Sequence, residues 1–429
     1  MISKKKKVLV NTGWMTAQQI VGLMISLIVG PISARYLQPE NYGLLGYGSA
    51  IISIFSAVSL LGINAVLVQE LVSNPQKNSS LLGTAYSLRF MASVVCYACS
   101  VLCIVIMEPG STLLLAIVAL QSLTIIFQTY DVFEAWFQMK LEMKYVSIAM
   151  IIVKIFTVMW QLSLLIFRAP VVLFAATGSI STLLCGTIIF LFFKKRGIRI
   201  GFSFEDAKYI LSKSHHFIIS GLAIVIYMQI DKVMIAKMID SANVGIYNVA
   251  VSLSTIWQFV PMAILNSARP LVLERKEQDN DQYYKYLKMT MAVVSAICLT
   301  VCIGFTVLAR PIIYILYGEA YIGATVSLRI LVWATMVAMI GCVRSVWILG
   351  DGLSKYDKYF TVTAAVINVV LNFILIDCWG IVGAAASTLI SQFYEVFIAP
   401  FLFKKTRGFA SIYVSSWKEL PNAVRLFRR

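Results

Sequence analysis

The sequence carries little charge for its length. Only 13% of its 429 residues are Asp, Glu, Lys or Arg, whereas 59% are hydrophobic, and the mean hydropathy is +0.83. Soluble domains contain about 25% charged residues and do not have room in one core for so much apolar surface. The composition therefore excludes a soluble protein and predicts an integral membrane protein.

The sequence also lacks the signatures of soluble enzymes and of metal centres. It has no Walker loop, no Rossmann fingerprint and no Ser/His/Asp set outside the apolar runs. Its eight cysteines lie in or at the edge of apolar runs, which indicates helix packing rather than a disulfide framework or a zinc site. We therefore expect no enzymatic activity, no cofactor and no metal.

Long apolar runs are what the sequence does contain. A helix that spans a bilayer needs about 20 mainly apolar residues, and runs of that length recur twelve times. They are apolar on every face, without the alternation of β-barrel strands. They lie near residues 10–33, 43–68, 81–107, 111–136, 146–167, 170–193, 215–236, 245–268, 286–309, 324–349, 358–377 and 380–403. The prediction is an all-α integral membrane fold with twelve transmembrane helices.

A repeated segment divides these runs into two halves. Residues 34–44 (ARYLQPENYGL) and residues 236–246 (AKMIDSANVGI) share three identical positions and three similar ones, and each joins the first two runs of its half. Six spans per half give both halves the same orientation. This predicts two six-helix lobes, residues 1–200 and 201–403, related by a pseudo-two-fold axis along the membrane normal, with a substrate cavity between them and a basic cytoplasmic tail at 404–429.

The distribution of basic residues predicts the orientation. With a cytoplasmic N-terminus, the inside segments hold 27 Lys and Arg and the outside loops hold four. The positive-inside rule then places both termini in the cytoplasm of a multi-pass protein of the cell membrane. The net charge of +16 is explained by this topology and by anionic lipid headgroups, so nucleic acid is not an expected partner.

Five basic residues remain inside predicted spans. A charge at the bilayer centre costs about 2.5–3.5 kcal/mol on insertion scales, so each residue is a functional candidate unless it faces protein or water. We expect them to line a cationic, substrate-binding cavity. They are Arg89 in the third span, Lys154 in the fifth, Lys232 in the seventh, and Arg329 and Arg344 in the tenth.

Acidic residues in the spans are candidates for ion coupling. They are Asp131 and Glu134 in the fourth span, Asp231 in the seventh and Glu395 in the twelfth. Structural alternatives exist for several charged residues. Spans four and five form a hairpin near Leu141, so Asp131 and Lys154 can form an ion pair. Arg344 can reach the headgroup layer instead of a cavity. Asp231 and its neighbour Lys232 lie about 100° apart on a helix and point in different directions.

Several short motifs lie at the polar breaks and in the spans: RYLQPENYG at 35–43, QIDKVMI at 229–235, VGIY at 244–247, YGEAY at 317–321, NVVLN at 368–372 and WGIVGAA at 379–385. Together they resemble the motifs of a known family, the polysaccharide flippases of the multidrug/oligosaccharidyl-lipid/polysaccharide exporter superfamily. The resemblance implies a MATE-like, two-lobed fold that moves polyprenyl-diphosphate-linked oligosaccharide from the cytoplasmic to the outer leaflet. Asp231 and Lys232 match the family's Asp-Lys pattern in its seventh span.

The resemblance further implies partners and leaves rival functions open. Expected partners are the lipid-linked glycan, membrane lipids, and the polymerase and glycosyltransferases of surface-polysaccharide synthesis. One rival is a cation-coupled small-molecule or drug antiporter of the same superfamily, which would favour intramembrane acids over bases. The other is a non-transporting membrane component of glycan assembly.

Overall fold

The computed structural model describes residues 4–198 and 200–422, with backbone alone for residues 4–12, 216, 219, 220 and 277. The predicted tail is therefore described as far as residue 422. Residues 1–3, Arg199 and the last seven residues of the tail lie outside the described part.

Every regular element in the described ranges is helical. The longer helices before residue 200 are α1 Lys4–Ser59, α2 Ile63–Ser73, α3 Asn78–Met107, α4 Thr112–Phe127, α5 Asp131–Met139, α6 Met143–Ile166 and α7 Val171–Lys194. Those after it are α8 Phe204–Met238, α9 Ser241–Thr255, α10 Phe259–Gln278, α11 Asn280–Tyr317, α12 Ala324–Gly350, α13 Ser354–Trp379, α14 Ile381–Phe393 and α15 Phe409–Ser416. Short 3-10 turns lie at Pro75–Lys77, Gln128–Tyr130, Ile256–Gln258, Glu319–Tyr321, Ala399–Leu402 and Trp417–Glu419, and one π-helical turn lies at Tyr394–Ile398.

Ten helical stretches in the described residues are long and apolar enough to cross a membrane. The first, Gly13–Ser73, is 61 residues long and contains both of the first two predicted spans. The all-α, multi-span class is confirmed, while the number twelve and the two-fold axis stay predictions.

The repeated segment interrupts the helices at matching positions. In the first copy, Gln38 has a non-helical backbone (φ 59, ψ 166) inside α1, directly before Pro39, because proline disfavours a helical conformation at the preceding residue. In the second copy the matching residue, Asp240, has an extended backbone and accepts a hydrogen bond from the Asn243 amide, which caps α9.

The chain divides into two compact units, Met1–Gln229 and Ile230–Arg429. The first is called the N-unit below, and the second the C-unit. Their boundary falls inside α8, later than the predicted boundary between residues 200 and 201, and the predicted division stays a prediction.

The N-unit is held together by aromatic packing and interhelical hydrogen bonds. Phe133 and Phe193 pack with their ring centroids 4.7 Å apart and their planes tilted by 35°, and the Ser179 hydroxyl on α7 donates to the Leu120 carbonyl on α4 at 2.6 Å. Such close packing and polar links stabilise helix association in lipid, where burial of apolar surface contributes little. Gly186 permits the contact of α7 with Tyr130, because a Cβ there would lie 2.5 Å from the tyrosine ring.

In the C-unit, α12 is the central helix, and its Val332, Ile340 and Val343 are almost fully buried. Helices α13 and α14 form a hairpin beside it. Gly380 turns the chain with a left-handed φ of 58°, and Gly383 lets α14 approach the end of α13, since a Cβ there would lie 1.8 Å from the Leu375 carbonyl oxygen.

Candidate functional site

Arg89 on α3 is fully buried within the N-unit. Its Nη1 donates to Asn64 Oδ1 at 3.2 Å and its Nη2 to the Gln128 carbonyl at 3.3 Å, while Nε has no partner among the described residues. The Gln128 carbonyl is available because α4 ends one residue earlier and a 3-10 turn follows. Asp131 interacts electrostatically with Arg89, but Arg89 forms no salt bridge with a described residue. Its charge is therefore held by neutral groups.

A polar cavity of about 480 Å³ lies in the N-unit, and both Lys154 and Asp131 line it. Its full lining is Gln18, Gln19, Val21, Gly22, Thr124, Gln128, Asp131, Met150, Ile151, Val153, Lys154, Thr157, Ser181, Thr182, Cys185 and Gly186. The Lys154 side chain lies next to Gly22 on α1, where a Cβ would be 3.9 Å from its Cε, an ordinary van der Waals contact. In the described part of the chain, Lys154 forms no salt bridge. The two residues share a cavity but do not form the ion pair that the sequence allows.

Asp131 and Glu134 lie on the first turn of α5. Asp131 lies close to the Gln128 side chain and interacts electrostatically with Arg89. Glu134 is partly buried and forms no hydrogen bond or salt bridge with any residue described here, and it interacts electrostatically with Asp131. The 3-10 turn Gln128–Tyr130 thus brings Arg89 and both acids together where the fourth span is interrupted.

Asp231 is buried in the C-unit among neutral hydrogen-bond donors. It accepts hydrogen bonds from Tyr247 Oη at 2.7 Å, Asn372 Nδ2 at 2.6 Å and Thr388 Oγ1 at 2.7 Å. The Asn372 Oδ1 atom is buried and has no described partner. Asp231 forms no salt bridge with a described residue, so hydrogen bonds and an electrostatic interaction with the adjacent Lys232 stabilise its carboxylate.

Lys232, the next residue, has different surroundings. It is partly buried and forms no hydrogen bond or salt bridge with a described side chain. None of the three residues that contact Asp231 contacts Lys232. The geometry agrees with the angular separation of neighbours on a helix.

Arg344 is buried and paired with acids. Its Nη2 lies 3.0 Å from Asp357 Oδ1 and 3.8 Å from Glu395 Oε1, and its Nη1 donates to the Glu395 carbonyl. Glu395 lies in the π-helical turn Tyr394–Ile398 and accepts a hydrogen bond from Thr361. The structure therefore brings Arg344 together with Glu395, and the arginine does not extend to a surface.

Arg329, near the start of α12, is exposed. Its Nε donates to the Thr306 carbonyl at 2.9 Å. Arg329 and Arg344 lie on one helix but have separate surroundings, so the structure does not bring these two bases together.

The sequence reasoning missed the neutral partners of these charges. Asn372 stands four residues after Asn368 on α13, and this spacing of two amides in an apolar run was the available signal. Tyr247 belongs to the VGIY motif, but neither that motif nor Thr388 indicated a contact with Asp231, because single hydroxyls are common in transmembrane helices. Asp357 precedes the predicted span at 358–377 by one residue, and the structure places it in the first turn of α13.

Two curated proteins are similar to part of the chain. Over 170 residues it is 26% identical to the probable flippase AglR of Haloferax volcanii, an alignment that covers 39% of this chain and 36% of that protein. Over 193 residues it is 25% identical to the probable low-salt glycan biosynthesis flippase Agl15 of the same organism, covering 44% and 40%. The chain thus matches less than half the length of these relatives.

Solved structures share the fold over almost the whole chain. The lipid II flippase MurJ in an inward closed conformation has a TM-score of 0.73 at 16% sequence identity. The alignment covers 96% of this chain and 91% of the MurJ chain. An inward-facing multidrug resistance MATE family transporter of the MOP superfamily has a TM-score of 0.67 at 14% identity, covering 95% and 99%. At these identities the likeness concerns the fold, and it confirms the predicted MATE-like class.

Family models match both parts of the chain. The MatE model matches residues 217–374. The model of the polysaccharide biosynthesis protein family matches residues 8–274, which is more than half of the chain. Together with the ten apolar helices, these matches indicate a multi-pass membrane protein. The chain belongs to the polysaccharide biosynthesis protein family.

Proposed function

We propose that this protein is a flippase rather than an enzyme. It moves polyprenyl-diphosphate-linked oligosaccharide from the cytoplasmic to the outer leaflet of the cell membrane for surface-polysaccharide synthesis. The observation that carries the proposal is the polar cavity of the N-unit, which contains a lysine without a described salt bridge inside a bundle of apolar helices. The family membership supports the glycan as cargo.

The chemistry of the cargo explains why such a cavity is needed. A diphosphate and its sugars would lose their water in hydrocarbon, at a cost of several kcal/mol for each unpaired polar group. Amides, hydroxyls and an ammonium replace that water while the polyprenyl tail stays in lipid. In this proposal Arg89, Lys154, Lys232 and Arg329 provide positive charge. Arg344 has a structural role, because its charge is already paired with Asp357.

The membrane arrangement belongs to the proposal too. It comprises twelve helices in two six-helix lobes of equal orientation, with both termini in the cytoplasm. Its partners are the lipid-linked glycan, membrane lipids, and the glycosyltransferases and polymerase that precede and follow translocation. The cell interior is negative, so outward movement of an anion is favoured by about 2.3 kcal/mol per charge per 100 mV.

Asp231 is the acid that we assign to ion coupling. A buried carboxylate without a described salt bridge is a natural place for a proton or a monovalent cation, and the adjacent Asn372 Oδ1 is a further free oxygen. Asp131 and Glu134 are alternative coupling groups in the N-unit. Glu395 is disfavoured, because it already contacts Arg344.

The test is transport of a defined lipid-linked oligosaccharide in proteoliposomes. We expect Arg89→Ala and Lys154→Ala to reduce flipping at least tenfold while the protein still inserts, because the anion loses a charged partner. Lys140→Ala is the matched control, since Lys140 is exposed and lines no part of the cavity. Wild-type rates for both variants would refute the role of these cations. Transport of a cationic drug instead of the glycan would favour the antiporter.

A further inference from the structure

The N-unit cavity is larger, and is lined by more polar side chains, than the passage of a single charge would require. Its volume of about 480 Å³ falls in the range of small-molecule sites, roughly 300–1,000 Å³. It is lined by α1, the interrupted fourth span, α6 and α7, so side chains from four parts of the N-unit converge on it.

Several of its polar groups have unused hydrogen-bonding capacity. The Gln18 amide nitrogen lies against the Met150 sulfur, which is only a weak acceptor, and the Gln18 side-chain carbonyl oxygen has no partner among the described residues. The hydroxyls of Thr157 and Ser181 lie 2.6 Å apart, and each oxygen keeps an acceptor site beyond that bond. The Lys154 ammonium offers three donors near them and has no described salt bridge.

This combination of groups selects a class of ligand. An amide that donates and accepts, together with hydroxyl acceptors, complements the vicinal hydroxyls of a sugar, and the Asp131 carboxylate accepts from hydroxyl donors. Val21 and Ile151 supply apolar surface for the C–H face of a sugar ring. A lysine favours an anionic substituent and disfavours a cationic drug. The set therefore fits a hydroxylated anion better than a simple ion or an apolar molecule.

We propose that this cavity is a subsite for a sugar that bears an anionic group, with Lys154 on the anion and Gln18, Thr157 and Ser181 on the hydroxyls. The inference rests on the proposed flippase function, and it deepens that function by giving the N-unit a direct role in recognising the glycan. The anion has two sources, the phosphate that joins the first sugar to the lipid and a carboxylate on a sugar of the glycan.

Ligand-observed NMR on the full-length protein in lipid nanodiscs tests the subsite. The probes are glucose 1-phosphate, glucuronic acid, glucose and inorganic phosphate, measured separately. We expect one of the two anionic sugars to bind at least tenfold more tightly than glucose or inorganic phosphate. The preferred one identifies the source of the anion. Equal binding of inorganic phosphate and the anionic sugars would overturn the proposal. An absence of binding by both glucose 1-phosphate and glucuronic acid would overturn it too.

Matched variants assign the contacts. Lys154→Met should weaken binding of the anionic sugar about tenfold and change glucose binding less than twofold, since it removes a charged hydrogen bond. Thr157→Val should weaken binding of both the anionic sugar and glucose. The controls are Lys140→Met and Thr187→Val, because Lys140 is exposed and Thr187 is an exposed residue of α7 that bonds to its own helix at Leu183. Unchanged affinities in Lys154→Met and Thr157→Val would place the probes elsewhere and overturn the assignment.

Transport separates the failure of the subsite from the failure of the flippase proposal. If the wild type flips lipid-linked oligosaccharide and the Lys154→Met/Thr157→Val double variant flips it equally fast, the subsite is refuted and the flippase function stands. If the wild type flips none, the flippase function is refuted whatever the probes do. Thermal unfolding of each variant in nanodiscs identifies loss of folding, and Ser181→Ala then serves as a milder second variant.

Discussion

Two buried arginines in this protein have their charges stabilised in different ways. Arg89 has an amide and a backbone carbonyl as partners, without a described salt bridge. Arg344 has a carboxylate at 3.0 Å and a second at 3.8 Å. An unpaired buried charge is expensive and is retained where a ligand or ion uses it, whereas a paired one is explained by structure. We therefore assign transport to Arg89 and stability to Arg344.

Replacing Arg344 should lower stability more than transport. Arg344→Met leaves the carboxylates of Asp357 and Glu395 without their cation, and we expect a loss of about 1–3 kcal/mol. The lower part of that range is expected because the Asp357 side chain is 35% exposed and partly solvated. Thermal unfolding in detergent measures the loss. A flipping rate per folded molecule reduced tenfold or more would instead make Arg344 part of the cargo path.

At this scale the charged residues could be predicted from the sequence and their partners could not. The high cost of charge in lipid singles out Arg89 and Lys154 from composition alone. The Gln128 carbonyl that binds Arg89 is available only because the fourth span is interrupted there, and no local pattern marks that interruption. Likewise, Asp231 meets Thr388 across 157 positions of sequence, a contact that only tertiary packing creates.

At the scale of helices, the polar repeat correctly marked where the first two spans of each half are separated. It did not reveal that no loop separates the two helices of α1, which meet at a kink at Gln38. A proline before a strongly apolar run is typical of a helix end. Pro39, however, also lies in the first turn of the helical segment that follows it. Tertiary packing then decides whether the two segments form one bent element.

The α13–α14 hairpin should be sensitive to a single methyl group. A Cβ at Gly383 would lie 1.8 Å from the Leu375 carbonyl oxygen, so Gly383→Ala forces the helices apart at an expected cost of about 1–3 kcal/mol. Gly304→Ala is the control, because nothing lies within 4 Å of its added Cβ. Melting temperatures in detergent compare the two variants. Equal values would show that the hairpin is looser than described.

The N-terminus of α11 should make a pH-dependent contribution to stability. Asp279 accepts hydrogen bonds from the backbone amides of Gln282 and Asp281, and these bonds lower the pKa of its carboxyl. The cap therefore stabilises the fold above the carboxyl's unfolded-state pKa, and its contribution is lost as pH falls through the lower folded-state value.

Asp279→Asn provides the measurement for this cap. Asparagine caps a helix about as well but does not titrate, so the variant should match the wild type near neutral pH and lose less stability on acidification below about pH 4. Melting temperatures at several pH values test the difference. Parallel curves for the two proteins would exclude a contribution from Asp279.

At the scale of the whole molecule, composition alone predicted the correct class. Every helix face in contact with lipid must be apolar, so a membrane protein can be identified from the hydropathy of its sequence. The count of spans is harder, because Gly13–Ser73 is one continuous stretch where two separate runs were expected. The sequence likewise did not indicate the unit boundary inside α8, because the boundary lies within a long helix and not in a segment with the composition of a linker.

The energy source of the transport cycle is a property of the whole protein, and Asp231 provides the test. If a cation or proton at Asp231 drives the cycle, Asp231→Asn should abolish the response of flipping to sodium or pH gradients. It should leave the response to membrane potential, because an exported anion still gains about 2.3 kcal/mol per charge per 100 mV. Asp240→Asn is the control, since that exposed cap of α9 tolerates asparagine. Proteoliposomes with each gradient set independently measure both responses, and a gradient response unchanged in Asp231→Asn would move the coupling to Asp131 or Glu134.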